Sequence, residues 1–145
     1  MKITTNRGSL LTIAAAALLY GSSAMAAGTT VQVQEAEGPS NYSIKLSESS
    51  IPAGTVTFKV MNHSKTLEHE FVVIKTNLAP DKLPYDKSAQ RVEENKVDVV
   101  GEVDDLKPGT SGANTFDLKP GKYVAICNEP GHYNLGMYTS FTVTK

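Results

Sequence analysis

The sequence predicts an all-β sandwich, and three observations carry that prediction. Apolar residues recur at every second position in several short runs. Pro-Gly turn signals separate those runs. The final run keeps its alternation almost to the C-terminus.

The first 26 residues stand apart from this pattern. Lys2 and Arg7 precede an apolar stretch from Leu10 to Leu19, and Ala24-Met25-Ala26 supplies a small-x-small cleavage signal. Residues 1–26 therefore read as a secretory signal peptide whose apolar core is too short to span a bilayer. With no cysteine near the cleavage site, a lipid anchor is not expected, and the product is expected to be soluble, periplasmic and monomeric. Residues 27–145 are left as one domain, long enough to bury a single core.

Within that domain Val31 and Val33 alternate with Gln32 and Gln34. Tyr42, Ile44 and Leu46 alternate with Ser43, Lys45 and Ser47, and Val56, Phe58 and Val60 with Thr57 and Lys59. One apolar face per run is the mark of half-buried antiparallel strands. "IPAG" at 51–54 and "LKPG" at 106–109 and 118–121 are turns in which Pro presets φ and Gly permits positive φ. Between Asn77 and Asp105 the rhythm weakens, and a short helix over Ser88–Asn95 is the expected content of an insertion across one sheet. That insertion is the nearest candidate to cover the outer face of the strand "KYVAICN", where Val124 and Ile126 are apolar too. The same strand puts Tyr123, Ala125 and Cys127 on its other face. In the closing strand Met137 heads an inward row with Phe141 and Val143.

Charge narrows the function. The chain has 14 Lys and Arg, and without Lys2 and Arg7 there remain 12 against 15 acidic residues, a net charge of −3. Mild acidity with no basic run argues against nucleic acid or anionic lipid as a partner. Cys127 is the sole cysteine. In an oxidising compartment it has no internal disulfide partner, which leaves an inert buried thiol, an intermolecular pair or a metal ligand.

The metal reading also accounts for the spacing. In "CNEPGHYNLGMY", Cys127, His132 and Met137 follow one another at intervals of five residues. A soft thiolate, an imidazole and a weak thioether suit a copper ion cycling between Cu(I) and Cu(II), and His69 in "LEHEFVVIK" is the candidate second imidazole. His63 in "MNHSK" falls on the solvent face of its strand with Lys59 and Met61. It reads as an exposed turn residue, with a second Met61/His63 copper site as the lesser alternative.

At these residues the chain resembles the cupredoxins: "HEF" on a middle strand, the "LKPGKYVAIC" approach to the thiol, and the "CNEPGHYNLGMY" loop before a closing strand. The spacing is more similar to rusticyanin than to plastocyanin or azurin. The resemblance implies a Greek-key β-sandwich with His69, Cys127 and His132 as equatorial ligands and Met137 as the axial one. Glu70, where relatives often carry Asn, and Asn128, where they often carry Thr or Ser, depart from the pattern and bear on ligand orientation.

The expected function is a mononuclear type 1 copper protein, not an enzyme, that carries single electrons between redox partner proteins such as cytochromes or an oxidase or reductase. A copper chaperone or periplasmic copper buffer is the alternative, and a metal-free sandwich with a buried thiol is a second. Pro130, Tyr133 and Leu135 are expected to form an apolar collar around the edge of His132. Glu129 is an ordinary solvated carboxylate or a residue that steers a basic partner.

Overall fold

The structure, a computed structural model, describes residues 28–39 and 42–145, so the expected signal segment, 1–26, lies outside the described residues. Eleven strands make up the described fold: β1 (Thr29–Glu37), β2 (Tyr42–Leu46), β3 (Ser50–Pro52), β4 (Gly54–Asn62), β5 (His69–Lys75), β6 (Tyr85–Asp86), β7 (Arg91–Val92), β8 (Asp98–Leu106), β9 (Ser111–Leu118), β10 (Gly121–Ile126) and β11 (Tyr138–Thr144). Single 3-10 turns occupy Glu94–Lys96 and Tyr133–Leu135. Among the described residues no helix is long and apolar enough to cross a membrane.

Two sheets pack face to face in a Greek-key β-sandwich, one ordered β2-β1-β4-β9 and the other β3-β11-β10-β5-β8. Parallel pairings of β1 with β4 and of β3 with β11 mark the crossovers between hairpins. The alternation read from the sequence is the alternation of burial. Val31, Val33, Val56, Phe58, Val60, Tyr123, Ala125, Phe141 and Val143 all point inward, while Gln32, Lys59 and Lys122 face solvent. Phe58 sits at the middle of this core, its ring 5.2 Å from Phe71, 6.0 Å from Phe116 and 5.8 Å from Phe141. Burying such a side chain contributes about 1.5–3 kcal/mol. The "LKPG" signal at 106–109 forms a β-turn in which Thr110 N–H donates to Lys107 C=O at 3.0 Å. Gly109 takes φ 72 there, the conformation a type II turn requires at its third position.

The insertion covers the outer face of the second sheet as expected, but its content differs. Leu83 and Val92, with Tyr85, Val97 and Val99, pack on Val72, Ile74, Val124 and Ile126 as a second apolar cluster. That explains why β5 and β10 are apolar on both faces. No helix spans Ser88–Asn95; only its last two residues enter the Glu94–Lys96 3-10 turn. Asp86 Oδ1 instead accepts from Ser88 N–H at 2.7 Å and Ala89 N–H at 3.2 Å. This turn sends the chain back as the β6–β7 hairpin and brings Val92 onto the sheet. The stretch from Asp98 also leaves the expected insertion, because it is β8, the edge strand paired with β5. Its charged residues obscured it in the sequence, as edge strands carry charge to discourage further pairing.

Candidate metal centre

β5 delivers His69 to one end of the sandwich. Asn62, fully buried at the end of β4, organises the connection: its Nδ2 donates to Leu67 C=O at 2.9 Å and Leu106 C=O at 2.7 Å, and its Oδ1 accepts from Ser64 N–H at 2.8 Å. Ser64 Oγ then accepts from Leu67 N–H and donates to Glu37 Oε1. Opposite Glu70 the β5–β8 register slips by a β-bulge, with Asp105 at φ 50. Bulges of this kind re-aim side chains at the rims of sheets.

β10 delivers Cys127, and the loop to β11 delivers His132. Cys127 N–H donates to Met137 C=O at 3.0 Å and Met137 N–H to His132 C=O at 3.1 Å. These bonds pin both ends of the five-and-five spacing. Gly136 closes the Tyr133–Leu135 turn in the left-handed region, at φ 94.

The sequence-selected donors converge. His69 Nδ1 lies 3.2 Å from His132 Nδ1, and Cys127 Sγ lies 3.3 Å from His132 Nδ1 and 3.8 Å from His69 Nδ1. Donors bound at 2.0–2.3 Å around one ion in a plane stand roughly 3.5 Å apart, so the triangle fits a single metal ion. His69 and Cys127 have no exposed surface and His132 only 9%. Met137, also without exposed surface, packs in the same core cluster as Cys127. His63 is exposed on the solvent side of its strand, as expected.

Electrostatics prepare the donors. Burial pushes the imidazoles down, His132 to about 4, so both are neutral with a lone pair to give. Burial also pushes the Cys127 thiol far up, and only a bound cation makes the thiolate stable there. Glu70 N–H points at Sγ from 3.5 Å, a donor for thiolate charge. The far nitrogen of His69, Nε2, faces Glu37 Oε2 at 3.4 Å. Burial raises the Glu37 carboxyl, but hydrogen bonds from Ser64, its own backbone and His69 outweigh that and hold it below its ordinary range. A carboxylate on the outer nitrogen of a ligating imidazole fixes its tautomer and orientation.

Several residues around the donors are placed differently from the sequence reading. Tyr133 is buried, its hydroxyl donating to Pro80 C=O at 2.7 Å and accepting from Leu83 N–H at 3.0 Å. It therefore leaves the expected collar, and Pro130 and Leu135 remain exposed. Glu129 is not freely solvated, because Arg91 pairs with it at 3.1 Å. Asn128 fastens the ligand loop to the insertion: Oδ1 accepts from Val92 N–H at 2.6 Å, and Nδ2 donates to Val92 C=O at 3.0 Å and Glu94 Oε1 at 2.7 Å. Glu70 carries a carboxyl that burial, with Glu129 nearby, raises to about 7.

Sequence reasoning missed Glu35, Glu37, Asn62 and Tyr42. The first two continue the inward row of Val31 and Val33, a signal that was there to read. Tyr42, whose ring centroid lies 4.9 Å from that of His132 in an edge-to-face contact, gave no signal beyond ordinary strand alternation.

No protein-family model matches the chain, and no curated protein sequence does either. Solved structures do. Auracyanin from the photosynthetic bacterium Roseiflexus castenholzii is similar at 27% identity and a TM-score of 0.63, over 82% of this chain and 99% of that one. Auracyanin A from Chloroflexus aurantiacus, a "blue" copper protein, is similar at 25% identity and a TM-score of 0.60, over 81% of this chain and all of that one. Rusticyanin from Thiobacillus ferrooxidans shares the fold at 22% identity and a TM-score of 0.57, over 81% of this chain and 79% of that one. Fold, donor triangle and structural neighbours agree: in its sandwich topology and its His-Cys-His cluster the chain is similar to the blue copper cupredoxins.

Proposed function

We propose that the protein is a periplasmic one-electron carrier holding one copper ion through His69, Cys127, His132 and Met137. The observation that carries this reading is the triangle of one thiol and two imidazoles, each pair within 4.8 Å, at the end of a sandwich with auracyanin-like topology. Two nitrogens and a thiolate with a weak thioether suit copper in both oxidation states. When bound, copper supplies the one-electron couple; the chain supplies the frame. β5, β10 and the loop hold the donors in one arrangement, so that little rearranges on transfer. The apolar surround of Cys127 and Met137 excludes water.

His132 is the donor closest to solvent, flanked by exposed Pro130 and by Leu135, which is 50% exposed. Exposed apolar residues on the loop that carries this imidazole suit brief contact with a larger redox protein such as a cytochrome, oxidase or reductase. Burial of the donors supports transfer of electrons over exchange of metal, and over catalysis at an open coordination position. Export through residues 1–26 is part of the same proposal, since a lone cysteine and a copper site suit an oxidising compartment.

Adding Cu(II) to the domain tests the reading. An intense visible band from thiolate-to-copper charge transfer is expected, and Cys127→Ser abolishes it. Retention of the band in that variant overturns the assignment. His69→Ala removes or reshapes the band while His63→Ala leaves it unchanged; the reverse ranking transfers the ligand role to His63.

A further inference from the structure

The insertion meets the donor-bearing segments at one residue. Arg91 Nη2 lies 3.1 Å from Glu129 Oε2, two residues after Cys127, and Nη1 lies 3.7 Å from Glu70 Oε1, one residue after His69. The two carboxylates thus come from the two segments that carry the donors, and one guanidinium stands between them. Their side chains are only 15% (Glu70) and 28% (Glu129) exposed, against 40% for Arg91. Glu70 Oε1 is buried with no hydrogen bond, so the nearby cation is its compensation.

Arg91 is also held in place from both sides. Gln90 C=O accepts from Gly131 N–H at 2.8 Å, and Val92 exchanges two hydrogen bonds with the Asn128 side chain. To offer that carbonyl, Gln90 takes φ 56, a left-handed conformation uncommon for such a residue, which persists where surrounding contacts over-determine it. An isolated exposed ion pair contributes about 0–1 kcal/mol. Here the pair is part of a three-charge network on a segment already docked against the ligand loop.

We propose that Arg91 is a positioning residue of the metal centre: by bridging Glu70 and Glu129 it holds the His69 segment against the Cys127–His132 loop. Without the guanidinium the link between the two segments is lost, and charge on Glu70 then faces that on Glu129 uncompensated. The sheet pairing of β5 with β10 ends at Val72 and Ile126, short of both donors. Backbone hydrogen bonding between these strands therefore does not extend to the residues that Arg91 spans.

The inference rests on the copper reading, and one experiment separates their failures. Wild type, Arg91→Met, Arg91→Lys and the double variant Arg91→Met/Glu129→Gln are loaded with copper. Each is followed for its visible spectrum and for the rate at which a strong Cu(I) chelator strips the reduced metal, with apoprotein melting measured alongside. Arg91→Met is expected to lose copper about tenfold faster and to change the relative intensities of the charge-transfer bands. Arg91→Lys recovers part of the effect, and the double variant, relieved of repulsion, recovers most of it. Wild-type rate and spectrum in Arg91→Met overturn the inference, as does a fall in apoprotein melting temperature with neither copper readout changed. Absence of the intense band in wild type overturns the copper reading itself.

Discussion

Met137 and Glu35 show how much one buried side chain decides at this centre. Met137 lies without exposed surface in the cluster that also holds Cys127. In its proposed role as a weak axial donor it would stabilise Cu(II) little, whereas an amide oxygen is harder and favours the oxidised ion. Met137→Gln is expected to lower the reduction potential and Met137→Leu to raise it, each by the order of 60 mV, a tenfold change in relative affinity for the two oxidation states. Voltammetry on the three proteins checks this, and unchanged potentials remove Met137 from the ligand set. Glu35 is fully buried two residues before Glu37, and neither carboxyl oxygen has a hydrogen-bond partner. Burial, with Glu70 nearby, raises its pKa well above the ordinary 4.5. The folded chain then binds this proton more tightly than the unfolded one. Its contribution to stability is complete below about pH 4.5 and is lost as pH rises toward the folded-state value. Glu35→Gln is expected to flatten the loss of apoprotein stability between pH 5 and 8. Glu35→Leu is expected to add about 1–3 kcal/mol at pH 8 by removing an unpaired polar group. Denaturant titrations at both pH values measure this, and parallel slopes for wild type and Glu35→Gln contradict it.

Among the elements, the segment between β5 and β8 most changes the meaning of its neighbours. Its apolar residues cover the outer faces of β5 and β10, and its polar groups reach the ligand loop through Asn128, Gly131, Glu129 and Tyr133. Tyr133 is the clearest handle on that docking because its hydroxyl serves both Leu83 N–H and Pro80 C=O. Tyr133→Phe keeps the ring and leaves both groups without their partner, at about 1–3 kcal/mol. Urea unfolding is expected to show that loss, and hydrogen exchange is expected to quicken at Leu83. Unchanged exchange there means that the segment is held by its apolar face alone.

For the molecule as a whole, the proposed copper site is a cross-link between distant parts of the chain. Cys127 and His69 are 58 residues apart, His69 at the start of β5 and Cys127 just past the end of the neighbouring β10. An ion that binds only the folded state, present at a thousand times its dissociation constant, stabilises by about 4 kcal/mol. In a domain of this size that raises the melting temperature by about 10 °C or more. Calorimetry of the apo and copper-loaded protein measures the rise, which is expected to vanish in Cys127→Ser. A rise that survives in that variant places the stabilising ion elsewhere.

Local pattern by itself determined the strands with one apolar face, the Pro-Gly turns between them and the Cys127–His132–Met137 spacing. Side-chain alternation and turn chemistry depend on near neighbours, so the sequence displays them directly. The need of that loop for a second imidazole pointed to His69, and the cupredoxin resemblance extended the reading to the sandwich topology and the equatorial and axial roles. Tertiary structure alone decided the rest. Asp98–Leu106 pairs as an edge strand despite its charges, because β5 offers an unpaired edge and the two sheets close around it. Tyr133 is buried because the insertion, remote in sequence, supplies a carbonyl and an amide for its hydroxyl. Glu129 belongs to Arg91, Asn128 to Val92 and Glu37 to His69 for the same reason: a polar side chain has several partners to choose from, and only packing brings one of them within hydrogen-bonding distance.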